Sequence, residues 1–438
     1  MKENTSKWPG RAIIISIVAA LTLLWVNDVA TAREPQSIDN SILSTGENSH
    51  FGGIYNDYAR LIAGMADSQS ALAPFQKKSA WVEYSRFIHR GWINLDKRLL
   101  APERSWSEKE LGTAASSEGA VFYPFSGPDF ANIHAFFPKA GTYVLVAMEQ
   151  LGDIPGFPAM TDGQFSTYLE SMKKSLHDLL NVNYFLSAHM EAQIEQTRIR
   201  GVLPILLFML ARSNAQVLDV SYWKMGMDGE IRVLPALETT AREVPEIETT
   251  KPIMDDVEGI RIVFQGAGSE EDHPQTLYYF DVNLYNQAFE QNRHFLNFLR
   301  RLGPFTTFMK SASYVMFDPE TSAARQFMLD HSRYLVQEDS GIPLKFFEPS
   351  DWSLRFYGHY RKPIPTFKEA YQKDLASIYK ADKKIEPLPF GFGYYYNPGE
   401  ANLMVAERKS TDQLRDEASS NNSHNSDNSD VEFFLDDN

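Results

Sequence analysis

Polar residues with useful chemistry stand where two apolar runs of the sequence are interrupted or end. Lys310 lies inside the run Thr306–Phe317, and Glu338 and Asp339 directly follow the run Arg333–Gln337. A lysine on the apolar face of a strand must reach a carboxylate, a ligand or solvent. We therefore predict that Lys310 pairs with Glu338 or Asp339. Such a pair is either part of a functional site or a buried structural ion pair.

A second polar set lies in residues 121–130, which read VFYPFSGPDF. The apolar run stops at Ser126 and Gly127, and a helix-like run begins after Asp129. Glycine permits a sharp turn, and an aspartate at this position is suited to cap the next helix. Ser126 stands at a strand-to-helix turn, but the Gly-x-Ser-x-Gly pattern of serine hydrolases is absent. We predict that Ser126 and Asp129 share one crevice with Lys310, with a plain helix cap as the alternative.

Glu149 ends the next predicted strand, 22 positions beyond Gly127. A glycine turn followed by an acid at about this spacing is the arrangement that holds a nucleotide ribose. Residues 119–150 thereby resemble the first two motifs of class I methyltransferase-like Rossmann proteins. The resemblance implies a cofactor contact at Gly127 and Glu149, although Pro128 removes an N–H donor from the turn. The alternatives are a structural cap or another ligand, and the sequence does not identify a cofactor.

The elements that position these residues alternate between strands and helices. Residues 120–125 and 142–148 predict parallel strands joined by a short helix at 130–137. Residues 260–265 and 277–284 predict a hairpin, and a helix at 322–331 leads into the strand at 333–337. This alternation predicts an α/β fold, with a mostly parallel Rossmann-like sheet and helices on both faces. Ligands of such sheets bind beyond the carboxyl ends of the strands.

Two predicted domains follow from the apolar pattern. Residues 51–118 have apolar residues at helical spacing and predict a helical N-terminal subdomain, in which 101–119 reads as a polar loop. Residues 119–410 predict the α/β core.

The N-terminus has the pattern of a secretory signal peptide. Three basic residues precede the fifteen apolar residues of AIIISIVAALTLLWV, and the small-x-small site Ala30–Ala32 follows. We expect residues 1–32 to be the signal peptide and 33–50 a linker. The mature protein would then be periplasmic or secreted. The alternative is an uncleaved membrane anchor, although fifteen residues fall short of the ~20 that a membrane-spanning helix needs.

Composition narrows the possible partners. The chain of 438 residues has no cysteine, which excludes disulfides and thiolate chemistry. Its net charge of −15 argues against a nucleic-acid partner. Residues 411–438 carry eight acids and one arginine, a net charge of −7, and predict a disordered acidic tail. The tail ends in VEFFLDDN, which is a candidate peptide for a protein partner.

Three other patterns favour ordinary structure. Gly266–Gly268 is followed by acids that would repel a phosphate, so a hairpin loop fits better. Glu191 and Glu195 share a helix face that His189 does not, so no metal site is predicted. The aromatic residues 390–396 suit either a sugar or peptide groove or ordinary packing.

Finally, the segments FYPFSGPDF, TTFMKSASYVMF and QEDSGIP resemble those of a group of uncharacterised exported bacterial proteins, over most of residues 120–400. The resemblance implies no activity. Two hypotheses follow from the sequence. The first is an exported envelope protein with a small-molecule crevice at strand carboxyl ends, of hydrolase or transferase type. The second is a non-catalytic binding or interaction protein on a degenerate Rossmann-like fold.

Overall fold

The computed structural model describes residues 53–182, 201–225, 231–235, 259–267 and 273–410. Several sequence predictions fall outside these ranges. They concern the signal peptide, the linker, the tail, Gly268, His189, Glu191 and Glu195.

Ten described strands form one sheet in the order β4-β3-β5-β6-β2-β1-β7-β8-β10-β9. The strands are β1 (Ala120–Pro124), β2 (Thr142–Ala147), β3 (Gln216–Met225), β4 (Ile231–Pro235), β5 (Gly259–Gln265), β6 (Gln275–Asp281), β7 (Phe305–Met309), β8 (Ser332–Gln337), β9 (Trp352–Gly358) and β10 (Asn402–Arg408). The five central strands, β6-β2-β1-β7-β8, pair in parallel. The outer pairs are all antiparallel. The sheet is therefore mixed, and its parallel part is confined to the centre.

The described helices surround this sheet. They are α1 (Ile54–Ile62), α2 (Ala73–Gln76), α3 (Ser79–Leu95), α4 (Ala101–Glu110), α5 (Thr113–Ser116), α6 (Phe130–Phe136), α7 (Asp162–Val182), α8 (Leu203–Arg212), α9 (Asn286–Gln291), α10 (Arg293–Arg301), α11 (Ser322–His331) and α12 (Lys373–Ala381). A π-helical turn, Asp96–Leu100, joins α3 to α4 without a break. None of the described helices is long and apolar enough to cross a membrane.

The two faces of the sheet bury two separate cores. On β1, Val121 and Tyr123 belong to one core, whereas Ala120 and Phe122 belong to the other. This alternation is expected because successive side chains of a strand point to opposite faces. The first core contains the apolar residues of α1, α3, α4, α6, α7 and α8. The second contains those of α9, α10 and α11. The predicted α/β fold with helices on both faces is therefore confirmed.

The N-terminal helices share their core with the sheet. Leu61 of α1, Tyr84 of α3 and Trp106 of α4 lie in the same continuous cluster as Tyr143 of β2 and Phe308 of β7. Trp106 packs edge-to-face against Phe136 of α6, with ring centroids 5.9 Å apart. The residues predicted to form a helical subdomain therefore cover one face of the α/β core.

Two predictions of local structure are wrong. The run Thr306–Phe317 is not one long strand, because β7 ends at Met309 and a loop and a short 3-10 turn follow. The segment 101–119 is not a loop, because it contains α4 and α5. The sequence pattern of α4 misleads because two of its three buried residues, Glu103 and Ser107, are polar.

Candidate functional site

The candidate site lies at the carboxyl ends of the neighbouring strands β1 and β7. From β1 the chain passes through α6 to β2 on one side, whereas from β7 it passes through α11 to β8 on the other side. Connections that diverge in this way leave a crevice at the strand ends. The loop Phe125–Asp129 follows β1, and the loop Lys310–Tyr314 follows β7. These two loops bring Asp129 and Lys310 together, and Ser126 lies in the first loop.

Asp129 is the N-cap of α6, which confirms the cap interpretation. Its Oδ1 accepts hydrogen bonds from the backbone N–H of Asn132 at 3.5 Å and from the Asn132 side-chain amide at 2.7 Å. Its Oδ2 accepts a hydrogen bond from the Tyr123 hydroxyl at 3.1 Å. The residue is only 2% exposed. This carboxylate therefore has several donors besides its cationic partner.

Lys310 forms a buried ion pair with Asp129. The distance from Lys310 Nζ to Asp129 Oδ2 is 3.0 Å, and Lys310 is 2% exposed. The predicted pairing of Lys310 with Glu338 or Asp339 is therefore wrong. The physical reason is that β7 ends at Met309, so Lys310 follows the strand and its ammonium turns towards the β1 loop.

Glu103 of α4 is a third ionisable residue near this pair, and no sequence pattern indicated it. It is 0% exposed, and neither of its carboxyl oxygens has a hydrogen-bond partner. Burial raises the pKa of Glu103 well above the usual range, while the Lys310 charge lowers it and the Asp129 charge raises it. Burial therefore favours the neutral, protonated form of this carboxyl group.

Glu103, Tyr123, Asp129 and Lys310 together form what we call the crevice cluster. Burial, followed by the Asp129 charge, raises the pKa of Tyr123 well above its usual range, and the charges of Glu103 and Glu338 act in the same direction. Tyr123 therefore stays a neutral hydrogen-bond donor. The cluster holds one ion pair and one neutral acid in an apolar core.

Glu338 and Asp339 lie on the far side of the β7 loop. The chain turns directly after β8, as predicted, with Gly341 N–H donating to Glu338 O at 3.1 Å. Glu338 accepts from Ser311 N–H at 2.9 Å, from Ser340 N–H at 3.1 Å, and from the Ser340 hydroxyl. Glu338 therefore anchors the β7 loop through backbone hydrogen bonds.

Asp339 is bound by side chains from three other elements. Asn402 of β10 donates to its Oδ1 at 2.6 Å, and Tyr314 donates to its Oδ2 at 2.5 Å. Gln372 donates to its backbone carbonyl at 3.1 Å. Burial raises the pKa of both acids. The Asp339 charge raises that of Glu338 further, and the donors of Asp339 oppose the rise in its own pKa.

We call the five residues Tyr314, Glu338, Asp339, Ser340 and Asn402 the acid-pair cluster. A cavity beside it is lined by polar residues, among them Glu338, Asp339 and Asn402, and by apolar residues such as Leu344 and Met404. Its volume, measured as the space open to the centre of a water molecule, is about 10 Å³. That volume suits about one water molecule.

The backbone of both crevice loops is strained. Phe125, Ser311, Ser313 and Tyr314 have positive φ angles between 51° and 60°, which side-chain-bearing residues rarely adopt. In the described part of the chain, Asn214 is the one further non-glycine residue with this geometry. Strain of this kind accumulates at functional sites, where surrounding contacts must hold it.

Tyr394 supplies contacts that hold the strained β7 loop. Its hydroxyl donates to the Ser311 carbonyl at 3.0 Å and accepts from Ser313 N–H at 3.1 Å. Tyr394, one residue of the aromatic segment 390–396, therefore helps to hold the β7 loop.

Ser126 and Gly127 occupy the β1 loop but do not form a nucleophile site. The Ser126 N–H and hydroxyl both point at the Val146 carbonyl, at 3.0 and 3.4 Å. No base approaches the Ser126 hydroxyl among the hydrogen bonds of the described residues. Gly127 has a φ of +52°, so a side chain at this position would strain the turn.

Glu149 lies beyond β2, at the neighbouring strand end. Its Oε2 accepts a hydrogen bond from the hydroxyl of Tyr279 on β6 at 3.0 Å, and Glu149 is 4% exposed. A ribose hydroxyl that approached this carboxylate would meet the Tyr279 hydroxyl at Oε2. Glu149, the acid of the predicted cofactor site, is therefore hydrogen-bonded to Tyr279 in this structure.

The arrangement supplies charge and hydrogen bonds at the ends of β1 and β7. Within the described ranges, no group of three or more His, Cys, Asp or Glu residues could hold a metal ion. In the crevice cluster, Lys310 and Asp129 pair with each other, and neither carboxyl oxygen of Glu103 has a hydrogen-bond partner.

Comparison with known proteins adds no relative to this description. No protein-family model, curated protein or solved structure matches the chain. The two resemblances drawn from the sequence therefore stay predictions, and the functional argument rests on the geometry of the crevice.

Proposed function

We propose that the protein is an exported bacterial envelope protein that binds a small polar molecule without converting it. The binding site would be the crevice at the carboxyl ends of β1 and β7, in a degenerate Rossmann-like fold. One observation carries this proposal. In the crevice, Lys310 pairs with Asp129 and the Ser126 hydroxyl donates to the Val146 carbonyl, so these groups suit the holding of a polar ligand better than attack on it.

The strand order supports the position of the site. In chain order, the central strands β6-β2-β1-β7-β8 are the third, second, first, fourth and fifth parallel strands. Rossmann-like sheets share this order, and they bind ligands where it reverses, between the first and fourth strands. The strained loops after β1 and β7 lie at this point.

The test is native mass spectrometry of the protein purified from the cell envelope under non-denaturing conditions. We expect a non-covalent adduct of one small molecule per chain, whose mass stays unchanged after hours with the protein. Release of a chemically altered molecule would identify an enzyme instead. Absence of any adduct, from cells grown in rich and in minimal medium, would contradict the proposal.

A methyltransferase-like transferase is the second candidate, and the strand order favours it. Glu149 would then have to exchange its hydrogen bond with Tyr279 for one with a ribose. Calorimetric titration with S-adenosylmethionine and NAD⁺ separates the candidates. We expect no binding heat, and a dissociation constant below about 1 mM for either compound would favour the transferase.

Export is proposed from residues 1–32 alone. N-terminal sequencing of the protein from the periplasm is expected to begin at Arg33. Substituting Ala32→Leu should leave an uncleaved precursor, because the cleavage site requires small residues. A mature protein that keeps residues 1–32 in the membrane fraction would support the anchor instead.

We also propose that residues 411–438 bind a protein partner through the pair Phe433–Phe434. The charge of −7 keeps this segment soluble, and the two aromatic side chains supply an apolar contact. Crosslinking in whole cells should lose its adducts when both phenylalanines are changed to serine. Unchanged adducts would contradict this part of the proposal.

A further inference from the structure

Glu103 is a buried acid whose carboxyl oxygens have no hydrogen-bond partner, and several charged or polar groups lie near it. Lys310 follows β7, Asp129 caps α6, Tyr123 belongs to β1, and Arg104 is the next residue of α4. Because buried polar groups are almost always hydrogen-bonded, two open carboxyl oxygens in a core require an explanation.

The neighbouring groups do not use these oxygens. Asp129 binds Lys310, Tyr123 and Asn132. Lys310 forms its ion pair with Asp129, and its charge also acts on Glu103. The acid therefore adds an acceptor to the crevice that the Lys310–Asp129 pair does not require.

We propose that Glu103 is the binding residue for a cationic nitrogen group, an ammonium or a guanidinium, on the small molecule that occupies the crevice. This inference rests on the proposed function and names the chemical class of its ligand. The N–H groups of the ligand donate to Glu103 Oε1 and Oε2, and the Lys310–Asp129 pair stays intact.

Charge balance explains why the ligand is a cation. In the closed crevice, Lys310 and Asp129 neutralise each other, and Glu103 avoids an unpaired buried charge by keeping its proton. When the cation binds, Glu103 loses its proton to solvent. The positive charge of the ligand then balances the negative charge of the Glu103 carboxylate. The net charge of the core stays at zero in both states, and one proton is released for each ligand bound.

Access to Glu103 requires movement of the helix that carries it. Glu103 is 0% exposed and lies one turn after the π-helical turn Asp96–Leu100. Such π turns interrupt the regular hydrogen-bond pattern of a helix and are frequent at functional sites. We therefore place the movement of α4 that admits the ligand at this turn.

The experiment compares the purified chain with two variants, Glu103→Gln and Glu108→Gln. Glu108 is an exposed acid on the same helix, so its variant is a matched control. Melting is followed at pH 8 in methylammonium chloride and in tetramethylammonium chloride at equal ionic strength. Both probes carry one positive charge, but only methylammonium has N–H donors.

We expect methylammonium to raise the melting temperature of the wild type and of Glu108→Gln by about 2 °C near saturation. Glu103→Gln should show no rise, and tetramethylammonium should raise none of the three. The rise should be smaller at pH 6, because the proton then competes for Glu103.

The other groups facing this acid are Lys310, Asp129, Tyr123 and Arg104. His134 of α6 lies nearby, and burial followed by the Arg104 charge lowers its pKa to about 4.

Three results would overturn the inference. They are an equal rise in Glu103→Gln, an equal rise with tetramethylammonium, and no rise in the wild type. Native mass spectrometry separates this failure from failure of the proposed function. If the ligand is recovered equally from the wild type and Glu103→Gln, Glu103 does not bind it, yet the crevice still has a ligand. If neither protein carries a ligand, the proposed function fails first.

Discussion

The crevice cluster and the acid-pair cluster are both buried groups of charged residues, but they differ in how completely they are satisfied. In the acid-pair cluster, Asp339 and Glu338 accept hydrogen bonds from Asn402, Tyr314, Ser311 and Ser340. In the crevice cluster, Asp129 is equally well bound, but Glu103 has no partner for either oxygen.

This difference distinguishes buried polar groups that stabilise the fold from a buried polar group that does not. A fully bonded buried network rigidifies a core, whereas an unbonded buried group raises the free energy of the folded state. The acid-pair cluster therefore explains how the β7 loop is held. The crevice cluster retains an unsatisfied acid that stability alone does not require.

The largest expected effect comes from breaking the ion pair of the crevice cluster. Lys310→Met leaves the buried Asp129 carboxylate without its cation, so we expect the free energy of unfolding to fall by about 3–5 kcal/mol. Urea denaturation measures this loss. The double variant Lys310→Met/Asp129→Asn should recover part of it, and a double variant as unstable as the single one would show that the pair contributes little beyond packing.

Removing one neutral hydrogen-bond donor from the acid-pair cluster should lower the free energy of unfolding. Asn402→Ala removes the amide that donates to Asp339 Oδ1 and leaves a gap in the core, so we expect a loss of about 2 kcal/mol. Tyr314→Phe removes a single donor with little change in volume and should cost about 1 kcal/mol. Equal losses in the two variants would indicate that packing at Asn402 is unimportant.

The pH dependence of stability should distinguish Glu103 from ordinary surface acids. The pKa of Glu103 is raised in the folded state, so the native chain keeps a proton that the unfolded chain loses above its usual pKa. Stability is therefore full at low pH and falls as pH rises from about 4.5 towards the folded pKa, by up to about 1.4 kcal/mol per pH unit.

Denaturation between pH 5 and 8 tests this by difference. Subtracting the curve of Glu103→Gln from that of the wild type removes the contributions of Glu338 and Asp339, which also have raised pKa values. We expect the wild type to lose stability relative to Glu103→Gln as pH rises. A difference that is flat across this range would mean that Glu103 is solvated or paired.

The smallest expected effect concerns the strained loop between the clusters. Ser311 has a φ of +55°, and its hydroxyl is buried without a partner. Ser311→Gly should relieve about 1–2 kcal/mol of strain, partly offset by the added freedom of the unfolded chain. We expect a net gain of about 0.5 kcal/mol in thermal denaturation, and a loss would show that the Ser311 conformation is not strained.

The sequence predicted the central elements of the fold because their patterns are local. The run before Ser126 and the run at 142–148 are apolar throughout, as expected of strands buried on both faces, and they pair in parallel. Asp129 was identifiable as a helix cap because capping depends on residue type and position alone.

The pairing within the site was not predictable in the same way. The end of β7 depends on left-handed backbone angles at Ser311, Ser313 and Tyr314, and these residue types give no signal for such angles. Glu103 was missed because its helix buries polar residues, so no apolar stripe marks the buried face. Both failures arise where tertiary contacts override local preference.

The π-helical turn between α3 and α4 has a consequence for insertions and deletions in the chain. A π turn adds about one residue to an otherwise regular helix, and each residue of an α-helix turns the chain by about 100°. Deleting one residue of Asp96–Leu100 would restore an unbroken α-helix and rotate α3 against α4 by that angle. Either the apolar face of α3 or Glu103 would then leave its core. The extra residue of the π turn therefore fixes the rotation of α3 relative to α4. It lets the apolar face of α3 and Glu103 of α4 be buried at the same time.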